Sequence, residues 1–116
     1  MHNKSDTNQV SLTGRIHGEP VVRIIPPGCT IYVHFELSVR GEWPDHTGSA
    51  VLLEYRHVCF AQGPAAEAIL WASNGDHVGL IGSLDMIVGD YEPAGTAPIY
   101  KPAIRIHTMR PLNEEE

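Results

Sequence analysis

VLLEYRHVCF (51–60), AQGPAAEAILWASNGD (61–76) and HVGLIGSLDM (77–86) form the stretch whose reading decides the fold. The outer two runs are strand-like and the middle one is helical. Gly63-Pro64 opens the helix, because a proline at the first helical position loses only an N–H that would be unpaired there anyway. Ala65, Ala66, Ala68, Ile69, Leu70, Trp71 and Ala72 favour helix, and Asn74-Gly75 supplies the usual stop. Two to three turns of mostly apolar helix are not stable alone. This helix is therefore expected to close one open end of a barrel, with Leu70 or Trp71 pointing inward.

Working outward, further strands flank this unit. In the first, Val10, Leu12, Gly14 and Ile16 alternate with Gln9, Ser11, Thr13, Arg15 and His17, the period of a half-buried strand. Gly14 in mid-strand predicts a bulge or bend at a barrel corner. Residues 18–28 carry Pro20, Pro26, Pro27 and Gly28 and read as a turn segment. The second strand sets Ile31, Val33, Phe35, Leu37 and Val39 against Thr30, Tyr32, His34, Glu36, Ser38 and Arg40, an apolar face and a polar one. GEWPDHTGS (41–49) reads as a hairpin loop with Trp43 at its tip.

The third strand spans about Ala50–Gln62 and has no cleanly polar face, as expected of an outer surface covered by a loop, a subunit or a ligand. The fourth, His77–Val88, sets Val78, Leu80, Leu84 and Met86 on one face and Ile81 and Ile87 on the other. Its second apolar face suggests a subunit contact. GDYEPAGTAP (89–98) is a second polar loop carrying Tyr91, and the fifth strand covers about Ile99–Met109, with Pro102 at an edge. Five strands with one short helix between the third and fourth predict an all-β, five-stranded OB-fold Greek-key barrel. Its expected extent is 8–110, between a disordered leader, 1–7, and an acidic tail, 111–116.

At 116 residues there is room for one core. No apolar run approaches the roughly 18 residues that span a membrane, and the polar start MHNKSDTNQ lacks the core of a secretion signal, so a cytoplasmic protein with no membrane partner is expected. Cys29 and Cys59 lie apart without CxxC spacing and read as buried free thiols. Seven histidines show no ligand spacing, and no cofactor or metal is expected. The absence of G-x-S-x-G, a phosphate loop or a spaced nucleophile and base argues against an enzyme. The net charge of −6 runs against phosphate binding, which draws on Lys and Arg. Three of the acids, Glu114 to Glu116, sit in the tail.

The residues resemble the bacterial single-stranded DNA-binding proteins. Asn8-Gln9-Val10-Ser11-Leu12-Thr13-Gly14-Arg15-Ile16 is similar to that family's first strand, Asn-x-Val-x-Leu-x-Gly-x-Leu. Pro20-Val21-Val22-Arg23 and Pro26-Pro27-Gly28 are similar to its Pro-Glu-Val-Arg and Pro-Asn-Gly. Phe35-Glu36-Leu37-Ser38 with Trp43, Glu54-Tyr55-Arg56-His57-Val58, and Gly75-Asp76-His77-Val78-Gly79-Leu80-Ile81-Gly82-Ser83-Leu84 extend the likeness over residues 8–110. The related primosomal replication protein N is echoed by Leu37-Ser38-Val39-Arg40. Where the family turns basic after its fourth strand, this chain has Asp85-Met86-Ile87-Val88-Gly89-Asp90 and then Tyr91.

The resemblance implies an OB barrel that binds single-stranded DNA in replication, repair or recombination, as a homodimer or homotetramer with replication or recombination proteins as partners. It places Trp43 and Tyr55 at stacking positions. With Tyr32 and Tyr91 these are the candidate platforms, while Arg15, Arg40, Arg56, Lys101 and Arg105 are the candidate phosphate partners. Arg15, Tyr32, His34 and Arg40 share the outward polar face of the first two strands. Recognition is expected to be largely independent of sequence. The alternative from another class is a protein-interaction or assembly module with weak or no nucleic-acid binding, favoured by the acidic balance.

Overall fold

The computed structural model describes residues 6–91 and 98–112, without the side chains of 89–91 and 98–99. The expected leader up to residue 5, the centre of the 89–98 loop, the Tyr91 ring and the acidic end from 113 lie outside the described residues. Five strands form one closed barrel: β1 (Val10–Ile25), β2 (Thr30–Pro44), β3 (Ala50–Gln62), β4 (His77–Tyr91) and β5 (Pro98–Pro111), in the order β1-β2-β3-β5-β4. A one-turn helix, α1 (Pro64–Glu67), stands between β3 and β4. All pairings are antiparallel except the short β3–β5 closure, Cys59↔Ile104 and Phe60↔Arg105. This is the all-β OB-fold that the element order predicts.

Alternation builds the core. Successive side chains of a strand point to opposite faces, so Val33, Phe35 and Leu37 of β2 point inward to meet Ile16, Cys59, Ala61, Val78, Leu80, Ile104 and Ile106. Two glycines let the strands close. An ideal Cβ on Gly14 would collide with the Ser38 carbonyl, and one on Gly82 with the Arg105 carbonyl. Asn8 lies just before β1, and its side-chain amide donates to the Leu84 carbonyl (2.9 Å) and accepts from the Leu84 N–H (2.8 Å). That amide stands in for a backbone and carries the β1–β4 ladder beyond Val10↔Gly82.

Several boundaries differ from expectation. Residues 18–25 continue β1: a register shift between His17 and Val21 absorbs Gly18 (φ 83°) and Pro20, and the run Val21–Ile25 then pairs with β2. Only 26–29 turn. β2 likewise runs on to Pro44, and Trp43 is paired with Val51 rather than standing at a loop tip. The remaining turn is tied by the Asp45 carboxylate, which accepts from Thr47 Oγ1 (2.6 Å) and N–H (2.8 Å) and from Ser49 N–H (3.1 Å).

The helix is shorter than expected. After Glu67 the chain tightens into i→i+3 turns, with Ile69 N–H on Ala66 O and Ala72 N–H on Ile69 O, both 3.1 Å. That geometry turns Ala66 and Ile69 into the barrel end, Ile69 being 2% exposed, while Leu70 and Trp71 face outward. The Trp71 indole is held locally by its Nε1 donating to Ala68 O (3.0 Å). On β4, Val78 and Leu80 point into the core, but Leu84 and Met86 are exposed, because the β1 ladder stops at Val10↔Gly82 and leaves that side of the strand uncovered.

Candidate functional site

Both hairpins of interest project beyond the closed barrel as two-stranded arms, one from β1–β2 and one from β4–β5. Between them, over the outer face of β2, lies a cleft of about 700 Å³. Its floor is the polar stripe predicted on β2: Tyr32, His34 and Glu36. Val21, Arg23 and Ile25 line it from β1, Val58 from β3, Ile87 and Val88 from β4, and Lys101 from β5. The ladder explains the convergence, because residues paired across antiparallel strands share a face. Arg23 is paired with Tyr32, Val21 and Phe60 with His34, and His17 and Val58 with Glu36.

Phe60 is buried although it belongs to the outer face. It stacks on Tyr32 (ring centroids 6.1 Å apart, planes at 27°), and Tyr32 in turn lies 5.6 Å from the His34 ring. The Arg105 guanidinium covers the same Phe60 ring at 5.1 Å and its Nε donates to Asp85 Oδ2 at 2.8 Å. A row of rings thus runs from Phe60 through Tyr32 to His34, the last two on the floor of the cleft. Partial burial raises the Tyr32 phenol's pKa, with Arg23 opposing. Burial, aided by Arg23, lowers that of His34, whose Nδ1 is buried without a hydrogen-bond partner.

The predicted residues divide into groups. Tyr32, His34 and Lys101 meet in the cleft, and Arg105 borders it through Phe60. Arg15 and Arg40 lie farther along the same outer face and line a smaller pocket of about 190 Å³ with Ser38 and His77, where Arg15 Nη1 donates to Gly75 O (3.2 Å). Arg56 is on that side too, 3.8 Å from Glu54. Glu54 is also held by Ser38 Oγ at 2.6 Å, and that hydrogen bond, with Arg40, Arg56 and His17 nearby, keeps its carboxyl below the usual range.

Tyr55 and Trp43 face the other way. They pair with Val39 and Val51 on the opposite face of the β2–β3 ribbon, and they are 49% and 55% exposed. Tyr55 and its neighbour Arg56 therefore serve different surfaces.

Arg23, Glu36 and Phe60 are absent from the sequence-derived set. Arg23 had a signal, since it stands in the quoted Pro20-Val21-Val22-Arg23 run, but that run reads as a turn. Among the described residues no three His, Cys, Asp or Glu side chains gather as a metal site, and no helix is long and apolar enough to cross a membrane. Aromatic plates flanked by cations are instead suited to stacking on flat rings and pairing with phosphates.

No family model matches this sequence, and no curated protein matches it. Its fold is similar to solved structures. The wild-type single-stranded DNA binding protein from Thermus aquaticus superposes with a TM-score of 0.72 at 21% identity, over 93% of this chain and 51% of that one. A deletion mutant of the same protein gives 0.76 at 22%, again over 93% and 51%. The Plasmodium falciparum single-stranded DNA binding protein, in complex with single-stranded DNA, gives 0.77 at 20%, over 97% of this chain and 100% of that one. The chain spans about half the length of the Thermus protein.

Proposed function

We propose that this chain binds single-stranded DNA, with the cleft between the two arms as its primary contact. The observation that carries this reading is the meeting of Tyr32, His34, Arg23 and Lys101 over the outer face of β2. The face of strands 2 and 3, flanked by the loops between strands 1 and 2 and strands 4 and 5, is where OB-folds take oligonucleotides. The likeness to proteins that bind single-stranded DNA supports the same reading. Bases stack on the Tyr32 and His34 rings while phosphates pair with Arg23 and Lys101, and Trp43 and Tyr55 offer a second stacking patch to a longer strand.

The role is in DNA replication, repair or recombination, with primosomal accessory work included, in the cytoplasm and without catalysis. The apolar strip formed by Leu84, Met86 and Tyr100 outside the barrel supports assembly into a homodimer or homotetramer and docking of replication or recombination proteins. Titration of tyrosine and tryptophan emission with oligo-dT at low salt tests the reading. Quenching that weakens linearly in log affinity against log salt is expected. No binding at low salt would leave the assembly-module alternative standing.

A further inference from the structure

The placing of the cleft's charges bears on which bases it accepts. Arg23 and Lys101 come from the two arms, Glu19 lines the cleft from the irregular stretch of β1 between His17 and Val21, and Glu36 stands on β2 in the middle of the sheet, between its ladder partners His17 and Val58. Neither partner neutralises it, and among the described residues it makes no hydrogen bond or ion pair. A carboxylate can only accept hydrogen bonds. A phosphodiester offers it acceptors and like charge, so a bound strand must keep its phosphates toward Arg23 and Lys101 and turn a base edge, not a phosphate, toward Glu36.

Base edges differ in what they offer there. Cytosine presents its N4 amino group and adenine its N6 amino group, while thymine presents the O4 carbonyl and a methyl group at the same position. Acidic side chains accept from cytosine N4. Thymine's single ring N–H lies between two carbonyls that a carboxylate repels. We propose that Glu36 makes this a base-reading cleft, which prefers single strands carrying amino-bearing bases, cytosine foremost, over thymine. The proposal rests on the single-strand reading above and departs from the sequence-independent recognition expected of it.

The test is fluorescence titration of the wild type and Glu36→Gln with oligo-dC and oligo-dT of about 15 nucleotides, near the upper site size of one OB-fold, at neutral pH. The wild type is expected to bind oligo-dC about tenfold more tightly, the scale of one good base contact. Glu36→Gln, which keeps the shape and removes the charge, is expected to bring the two affinities to within about twofold, chiefly by strengthening oligo-dT. Glu36→Thr, suited to a strand, should do the same and guards against a folding defect in one variant. Equal wild-type affinities, or a preference that persists in both variants, overturns the role of Glu36 and leaves single-strand binding standing. Failure of every protein to bind either oligonucleotide overturns the single-strand reading itself.

Discussion

Arg105 Nε donates to Asp85 Oδ2 at 2.8 Å across the β4–β5 arm while the same guanidinium lies 5.1 Å from the Phe60 ring centroid. The cation over Phe60 is thus already engaged by a carboxylate. The Met86 N–H and then Arg105 hold the Asp85 carboxyl below its ordinary range, so the pair is intact at neutral pH. A depressed carboxyl contributes stability above its unfolded pKa and loses it as pH falls through the folded value.

Release of Arg105 should strengthen DNA binding. Asp85→Asn is expected to tighten oligo-dT several-fold at low salt and to steepen the log–log salt dependence by about one, the signature of one more phosphate contact. Arg105→Ala in the Asp85→Asn background should abolish both gains. Unchanged slopes across the set would mean that Arg105 meets no phosphate in either state.

The barrel end is closed by Ile69, not by the larger side chains beside it. Ile69→Ala should cost about 2–5 kcal/mol, the range for truncating a buried aliphatic residue. Trp71→Ala should cost about 1 kcal/mol or less, as surface substitutions do. Urea midpoints of the two variants check the contrast, and the reverse ranking would put Trp71 in the barrel.

Element order and core were legible because they follow local rules. Period-two alternation picked out Val33, Phe35 and Leu37 as core. Gly14 reads in the sequence as a bulge or bend, but the β1–β4 ladder passes through it in register and the glycine instead makes room for the Ser38 carbonyl. The β4–β5 arm was legible to within a few residues, but the β1–β2 arm was not, because strand and turn share residue types there. Pro20 argued for a turn, but a register shift lets the chain pass it and return to pairing at Val21. Arg23 was lost with that segment. The Leu70–Trp71 expectation failed because composition gives helix propensity but not the switch to i→i+3 turns that sets which side faces in. The placing of Tyr55 opposite Arg56 follows from alternation alone; the family motif, read as a string, joined what the strand separates.

Two stacking surfaces should show as a length dependence. Tyr32→Ala is expected to cost about 1–3 kcal/mol in binding to any oligonucleotide, whatever its length. Trp43→Ala and Tyr55→Ala should cost as much per stacked base only with strands long enough to leave the cleft and reach the far ribbon face. Equal losses on a short strand for all three would refute the division.

The two thiols should react at very different rates. Against the expectation of two buried thiols, Cys29 is exposed because it falls in the 26–29 turn, whereas Cys59 is buried on the inner face of β3 and burial pushes its thiol up to about 12. Since the thiolate is the reactive form, a thiol reagent at neutral pH should modify one cysteine per native chain and two after denaturation. Mass spectrometry of the native adduct should place it on Cys29.

His34 should make stability depend on pH. Its folded pKa lies below the ordinary value because burial, and then Arg23, disfavour the imidazolium. The other groups on its face, Tyr32, Glu36 and His17, belong to the same cleft. In the unfolded chain it takes up its proton near pH 6.5, while in the barrel it remains neutral until a lower pH. Between those values the unfolded state holds more protons, so stability falls as pH falls through the window and levels off below the folded value. His34→Gln removes this component, and urea midpoints should decline less steeply below about pH 6.5 than in the wild type. Identical slopes for the two proteins would mean that His34 protonates as readily in the fold as outside it, and that Arg23 and burial do not govern its charge.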